Sequence, residues 1–167
     1  MNSSRFSNSG KSLTNNGSTN MRQRRSISYH NEWDERLYRV CESGYGMYHV
    51  ESRHDNGRED RLWRWECRQL FQNRPQSCSW TTYVNEFDQP ILFMCGRNEY
   101  IRGVESYHSN SHEDRRWRFY CCHSNGYITK SCEITGYVNN WDQPLYFQAR
   151  HGQVMTGVFS YHNNGRE

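Results

Sequence analysis

Residues 61–67 read RLWRWEC, and this short stretch decides the fold class. Its two tryptophans and its cysteine alternate with Arg64 and Glu66, so apolar and charged side chains point to opposite faces of an extended chain. Residues 115–121 read RRWRFYC and repeat the same alternation. A period of two over at least five residues is typical of a strand with one buried face. Both stretches are therefore predicted to be β-strands.

The two strands belong to a longer repeat, whose period of about 54 residues is in the range of known repeat architectures. Tyr29, Tyr83 and Tyr137 open three units, which span 29–82, 83–136 and 137–167. Aligned without a gap, the first two units are identical at about a third of their positions, and we interpret them as a duplication. The third unit stops just before its Asp-Arg-x-Trp would begin. Because a repeat unit buries its apolar face only against its neighbours, we expect the chain to be incomplete at its C-terminus.

The composition favours an all-β protein whose core is built from aromatic side chains. The chain has 6 Trp, 12 Tyr and 7 Phe against 18 Ile, Leu and Val, and it has one Ala and two Lys. Aromatic residues favour strands, whereas helices use Ala, Leu and Lys freely. No stretch approaches the roughly 20 apolar residues that cross a bilayer, so membrane insertion is not expected.

The net charge of +3 is concentrated at the N-terminus. Residues 1–28 hold five basic residues and no acid, whereas residues 29–167 hold 16 basic and 18 acidic residues, a balance of −2. This distribution disfavours a nucleic-acid-binding function for the main part of the chain. The tail is rich in Ser and Asn and is predicted to be disordered. Its run 22–25 is interpreted as a solvated basic segment, with a secretory processing site as the alternative.

Seven cysteines in so small a chain indicate a secreted, disulfide-bonded domain. A reduced protein with a zinc site is the alternative, but no Cys-x-x-Cys pair occurs. The first and second units each hold two cysteines at matching positions, which favours one bridge inside each unit. Two further cysteines remain for a link between units, and Cys132 is left unpaired. The sets are Cys41 with Cys67, Cys95 with Cys121, and Cys78 with Cys122, although Cys121 and Cys122 could exchange partners.

Residues 113–122 read EDRRWRFYCC and resemble the Asp-Arg-x-Trp-x-Phe-Tyr-Cys-Cys signature of the dermatopontin family. Residues 60–67 resemble a first copy of that signature, and the resemblance covers roughly 29–167. It implies a secreted, tyrosine-rich matrix protein that supports cell adhesion and binds proteoglycans and collagen-associated partners. Invertebrate relatives include blood-cell aggregation factors, haemagglutinins and shell-matrix proteins. Family members carry three Asp-Arg-x-Trp copies, so a pseudo-threefold arrangement of repeats is expected, although this sequence has two.

The motif residues are interpreted as structural. The carboxylate is expected to order the turn before the strand, while the arginine covers the tryptophan face. A role as partner-binding charges is the alternative. The residues concerned are Asp60, Arg61 and Trp63 in the first copy and Asp114, Arg115 and Trp117 in the second.

Three histidines, His54, His108 and His162, recur once per unit. Three converging imidazoles would suit zinc, but core histidines hydrogen-bonded to the backbone are the simpler explanation of the repeat, so no metal or other cofactor is predicted. Ser52 and His54 share a strand face, yet no Gly-x-Ser-x-Gly turn occurs. The chain is therefore predicted not to be an enzyme.

Exposed aromatic residues beside polar turns suit sugar recognition. The candidates are Tyr107, Tyr161, Trp33 and Trp141, and core packing is the favoured interpretation for the two tryptophans. The predicted function is non-catalytic binding to matrix proteins, proteoglycans or cell-surface glycans in adhesion or aggregation. The alternative is a carbohydrate-binding lectin of innate defence. In either case repeated weak sites on one chain would give avidity, and the oligomeric state stays open.

Overall fold

The structure is a computed structural model that describes residues 28–70, 76–124, 132–163 and 165. These residues form β-strands and no helix, which confirms the all-β prediction and leaves no membrane-crossing helix in the described part of the chain. Apart from Ser28, the tail predicted to be disordered lies outside the described residues. The strands are β1 (Leu37–Val40), β2 (Tyr45–Asp55), β3 (Asp60–Gln69), β4 (Cys78–Trp80), β5 (Ile91–Met94), β6 (Glu99–Ser109), β7 (Asp114–His123), β8 (Leu145–Gln148) and β9 (Gly157–Ser160).

The strands form three antiparallel sheets. The first has the order β1-β6-β7-β4, the second β3-β2-β8 and the third β5-β9. Two long hairpins, β2–β3 and β6–β7, form most of the two larger sheets. β6 and β7 are the central strands of the first sheet, and in the second sheet β2 is central and β3 lies at an edge. Each hairpin contains one of the two alternating stretches, so the fold is organised around them.

Each four-residue strand pairs with a strand from a distant part of the chain. β1 pairs with β6, β5 with β9, and β8 with β2. Three of these short strands begin at Leu37, Ile91 and Leu145, which are equally spaced along the sequence. The last pairing brings Leu145 opposite Ser52, so the chain closes back onto its first hairpin.

The predicted alternation holds fully in β7 and less strictly in β3. The side chains of Trp117, Phe119 and Cys121 are buried in β7. In β3 Trp65 is buried, whereas Trp63 is half-buried and packs against the core. Trp63 meets Trp117 edge to face, with ring centroids 4.8 Å apart. The repeated tryptophans therefore join the two larger sheets.

The side-chain amides of two repeated asparagines hydrogen-bond to strand backbone groups, as the backbone of a neighbouring strand would. Asn85 accepts a hydrogen bond at Oδ1 from the backbone N–H of Trp117 at 2.9 Å and donates from Nδ2 to the carbonyl oxygen of Arg115 at 2.9 Å. Asn31 makes the same pair of bonds to Trp63 and Arg61, at 2.8 and 3.0 Å. Each amide thus hydrogen-bonds backbone groups on the open edge of β3 or β7, which explains why Asn recurs in the openings of the first two units.

Three disulfides fasten the sheets. They join Cys41 to Cys67, Cys95 to Cys121, and Cys78 to Cys122. The first two close the same sequence separation of 26 residues, and the third spans 44. Cys132 is a free, exposed thiol.

Candidate functional site

The Asp-Arg motif forms a buried ion pair between the two long hairpins. Asp60 begins β3, and Arg115 is the second residue of β7. Arg115 donates from Nε to Oδ1 of Asp60 at 2.6 Å and from Nη2 to Oδ2 at 2.7 Å. It also binds Oγ of Ser106 at 3.2 Å and the carbonyl oxygen of Glu35 at 3.1 Å. The sequence interpretation placed this arginine over a tryptophan face, but its guanidinium is held by Asp60 instead.

The ion pair controls the ionisation of Asp60. Burial acts to raise the pKa of this carboxyl group, but the hydrogen bonds and charge of Arg115 more than offset it. The backbone N–H of Asp34 adds a hydrogen bond to Oδ2 at 2.8 Å. Together these contacts hold the pKa of Asp60 below its ordinary value of 3.8.

The other copies of the same residues lack this pairing. Among the described residues no arginine pairs with Asp114, and burial raises the pKa of its carboxyl group above the ordinary value. Arg61 donates to Oγ of Ser52 at 3.2 Å and to the carbonyl oxygen of Gln143 at 3.1 Å, rather than to a carboxylate. Burial lowers the pKa of the Arg61 guanidinium. The motif therefore builds one complete inter-hairpin pair, Asp60 with Arg115.

The three repeated histidines are each placed beside carboxylates. Nδ1 of His108 lies 3.4 Å from Oδ1 of Asp60, and its Nε2 lies 3.7 Å from Oδ1 of Asp34. His54 and His162 face other carboxylates in the same way. In the described ranges no cluster of metal-ligating atoms contains all three histidines. The converging zinc site considered from the sequence is thus not assembled.

Aromatic rings and arginines cover the outer face of the first sheet. We call this surface the aromatic–arginine face, and its rings are those of Tyr38, Trp80, Tyr120, Tyr83 and Tyr107. Trp80 lies 5.8 Å from Tyr38 and 5.1 Å from Tyr120 between ring centroids, and Tyr83 lies 5.1 Å from Tyr107. All five rings are half-buried or exposed, and Tyr38 is 52% exposed.

Arginines stack on these rings. The guanidinium carbon of Arg118 lies 5.1 Å from the ring centre of Trp80 and 5.5 Å from that of Tyr83. Arg116 lies over Tyr83 at 5.0 Å, and Arg36 over Tyr38 at 5.1 Å. Such contacts fix the positions of long side chains that would otherwise be mobile.

Glu105 anchors two of the arginines from beneath. Its carboxylate lies 2.9 Å from Arg36 and 2.7 Å from Arg118. Burial acts to raise the pKa of Glu105, but hydrogen bonds from Arg118 and Arg36 outweigh it and lower the pKa. The face therefore carries guanidinium groups that are charged, ordered and partly open to solvent.

The four aromatic candidates from the sequence are not brought together. Tyr107 belongs to the aromatic–arginine face. Tyr161 is 68% exposed just after β9, and Trp141 is 36% exposed. Trp33 is half-buried, with Arg53 and Arg58 over its ring at 5.7 and 5.8 Å. Sequence reasoning missed Tyr38, Trp80, Tyr83 and Tyr120. The alternation in β7 was a signal that could have found Tyr120, because it places Tyr120 on the same outward side as Arg116 and Arg118.

Comparison with known proteins gives a consistent result. The family model described as Dermatopontin matches residues 31–167. The chain is 41% identical over 139 residues to the hemagglutinin/amebocyte aggregation factor of Limulus polyphemus, and the aligned region covers 82% of this chain and 80% of that protein. It is 34% identical over 123 residues to dermatopontin of Biomphalaria glabrata, covering 74% and 82% of the two chains. Millepora cytotoxin-1 of Millepora dichotoma is 31% identical over 80% of this chain and 60% of its own. No solved structure matches significantly.

Proposed function

We propose, since the chain belongs to the dermatopontin family, that it is a secreted, non-catalytic binding protein of the extracellular matrix that supports cell adhesion or aggregation. The observation that carries this proposal is the aromatic–arginine face. It offers guanidinium groups held on a platform of aromatic rings.

The chemistry of this face suits the anionic glycans of proteoglycans. A guanidinium forms paired hydrogen bonds with planar or tetrahedral oxyanions, and an aromatic ring packs against the apolar face of a sugar. Arg36 and Arg118 share the single carboxylate of Glu105, so this group of three side chains keeps a net positive charge. A repeating anionic polymer could engage several such charges at once.

A lectin function is the second candidate. It is favoured by the exposure of Tyr161 and by the name of the Limulus relative, a hemagglutinin. A lectin would bind neutral sugars through aromatic stacking and polar hydrogen bonds, with little dependence on salt.

The three repeat units are proposed to be quasi-equivalent parts of one domain, residues 29–167, with a pseudo-threefold arrangement. The regular spacing of β1, β5 and β8, and the pairing of each with a strand from elsewhere in the chain, support this relation. Several similar weak sites on one chain would supply the avidity that cell aggregation needs.

The experiment that separates the two functions is a cell-agglutination assay on the oxidised protein, with heparin, a panel of neutral sugars and EDTA as competitors. Inhibition by heparin and by salt, without an effect of neutral sugars, is the result expected for the proposed function. Variants Arg36→Gln and Tyr38→Ser should weaken agglutination, whereas Tyr137→Ser, which removes a 72% exposed tyrosine outside the face, should not.

Reversal of clumping by one neutral sugar would make the protein a lectin and overturn the matrix proposal. Full activity of the Arg36→Gln and Tyr38→Ser variants would exclude the aromatic–arginine face as the binding surface under either function.

A further inference from the structure

Strand β9 has one paired edge and one open edge. Its Ser160 matches Ser52 of β2 and Ser106 of β6 in the repeat. β2 lies between β3 and β8, and β6 lies between β7 and β1, so both of these strands are paired on two sides. Within the described ranges β9 pairs with β5 alone. An open edge presents backbone N–H and C=O groups with which another strand can pair.

The amide that would bind such a strand is already in position. Asn139 is the third-unit counterpart of Asn31 and Asn85, which hydrogen-bond the backbone of β3 and β7. Nδ2 of Asn139 donates to the carbonyl oxygen of the following residue at 2.9 Å, as in Asn31 and Asn85, where the distances are 2.9 and 3.1 Å. Its second contact is a long one, 3.5 Å to the carbonyl oxygen of Gln143. In the described part of the chain Oδ1 of Asn139 accepts no hydrogen bond, whereas the other two accept one from a strand N–H.

The residue before this asparagine also lacks the strand that its counterparts contact. The N–H of His30 donates to the carbonyl oxygen of Trp63 at 2.7 Å, and the N–H of Val84 donates to that of Trp117 at 2.8 Å. Val84 also packs against the core. Val138, at the matching position, is 40% exposed, and its N–H donates to no backbone carbonyl of the described residues. A tryptophan-bearing strand beside Val138 would satisfy this N–H and cover the side chain.

Arg61 has the contacts of Arg115 except for the carboxylate. Arg115 binds a serine hydroxyl, a backbone carbonyl oxygen and the carboxylate of Asp60. Arg61 binds the hydroxyl of Ser52 and the carbonyl oxygen of Gln143, which are the matching serine and backbone positions of the repeat. Among the residues that the structure describes, no carboxylate forms a contact ion pair with Arg61. This guanidinium is therefore positioned to receive one.

Asp114 has the contacts of Asp60 except for the guanidinium. Its Oδ2 accepts a hydrogen bond from the N–H of Asp88 at 2.9 Å, just as Oδ2 of Asp60 accepts one from the N–H of Asp34 at 2.8 Å. The side chain of Asp114 is 18% exposed, compared with 1% for Asp60, which the arginine covers. The Asp60–Arg115 contact thus leaves two partial sites, one for a guanidinium at Asp114 and one for a carboxylate at its counterpart.

We propose that this edge binds an extended segment of a partner polypeptide that contains the sequence Asp-Arg-x-Trp. The arginine of the segment pairs with Asp114, as Arg115 pairs with Asp60. The aspartate of the segment pairs with Arg61, and the backbone pairs with β9 and with the amide of Asn139. Adjacent aspartate and arginine residues fit both partial sites because each signature in the fold also uses adjacent residues, one for each neighbour. Extended peptides commonly bind proteins by adding a strand to an open sheet edge.

The test is isothermal titration calorimetry on the full oxidised chain. The probe is the peptide acetyl-Asp-Arg-Arg-Trp-Arg-Phe-amide, which has the sequence of residues 114–119. The control peptide has its first two residues exchanged, so its composition and charge are the same. The protein variants are Arg61→Gln and Asp114→Asn. Arg97→Gln and Glu42→Gln are their matched controls, because both side chains are exposed and neither contributes to the proposed site.

The expected result is saturable one-to-one binding of the probe, weakened about tenfold or more by Arg61→Gln and by Asp114→Asn and unchanged by the controls. The exchanged peptide should bind at least about tenfold more weakly than the probe. The probe has three arginines and one aspartate, so attraction by net charge alone would make Arg61→Gln bind it more tightly. Weakening by this variant therefore reports a specific ion pair.

A probe with Asn in place of Asp tests the same pair without relying on a protein variant. It should bind the parent protein more weakly than the original probe does, and it should bind Arg61→Gln and the parent protein equally. The proposal is overturned if the original probe does not saturate, if the exchanged peptide binds as tightly, or if both protein variants bind normally. A dimer of the parent protein that the probe dissociates in sedimentation velocity would assign the edge to a second copy and would also overturn it. The aromatic–arginine face and heparin take no part in these measurements, so their outcomes leave the proposed function untouched.

Discussion

Arg115 binds Asp60 through two hydrogen bonds of 2.6 and 2.7 Å across a sequence separation of 55 residues. The same two residue types recur in each signature, yet only this pair meets among the described residues. The contact ties the start of β3 to the start of β7, so it joins the two larger sheets near the tips of their hairpins. Because both side chains are buried, its loss leaves a charge in a poorly solvated place.

Replacing Arg115 is therefore expected to destabilise the fold strongly. Arg115→Met should lower the free energy of unfolding by about 3–5 kcal/mol, because Asp60 is left buried and unpaired. Arg61→Met is the matched control and should cost less, since Arg61 binds a hydroxyl and a carbonyl oxygen. Urea unfolding of the oxidised variants measures both. Equal losses would contradict a special role for the Asp60–Arg115 pair.

The two aspartates should give opposite pH dependences. The folded-state pKa of Asp60 is below 3.8, so its ionisation stabilises the fold above that value, and this contribution is lost as the pH falls through the folded pKa. The folded-state pKa of Asp114 is raised, so its contribution is present below 3.8 and is lost as the pH rises through the folded pKa.

At pH 7, Asp60→Asn is accordingly expected to lower the free energy of unfolding, and Asp114→Asn to raise it. Denaturant titrations from pH 3 to pH 7 on both variants and the parent protein check this. A stabilising Asp60→Asn, or a destabilising Asp114→Asn, would show that the electrostatic environment of that residue differs from the one described.

The two hydrogen bonds between the Asn85 side chain and the backbone of β7 should contribute to the free energy of unfolding. Asn85→Ala removes an acceptor from the N–H of Trp117 and a donor from the carbonyl oxygen of Arg115. Burial without these partners should cost about 1–3 kcal/mol per group. Asn85→Asp keeps the acceptor and should cost less than Asn85→Ala when charge is neutralised at low pH. Thermal unfolding monitored by tryptophan fluorescence ranks the three proteins.

Cys132 should be the single reactive thiol of the native protein. The other six cysteines are bonded, and Cys132 is exposed. Iodoacetamide under native conditions should add one label per chain, read by intact mass, and none to Cys132→Ser. Labelling of the Cys132→Ser variant would mean that one of the three disulfides opens.

Sequence reasoning reached the strands through side-chain periodicity, because alternation is a local property of an extended chain. The burial of Trp117 and Phe119 follows directly from it. The environment of Arg115 did not follow, because its partner is set by how two hairpins meet and not by spacing within one strand. The aromatic–arginine face was missed for the same reason, since Trp80 reaches Tyr120 only through the pairing of β4 with β7. Tyr107 could be named from the sequence because an aromatic residue close to a polar turn is a local pattern.

The pairing of short strands with strands far away in the sequence governs the order in which the chain can fold during synthesis. β2 is synthesised early, but it cannot pair with β8 until Leu145, the residue opposite Ser52, has been synthesised. Contacts between residues far apart in sequence slow folding, because the entropy of loop closure is lost before the contact can stabilise the chain. The Cys41–Cys67 bridge closes a much shorter loop and can form while the rest of the chain is still being translated. Oxidation of this first bridge would hold the nascent hairpin in place until its late partner arrives.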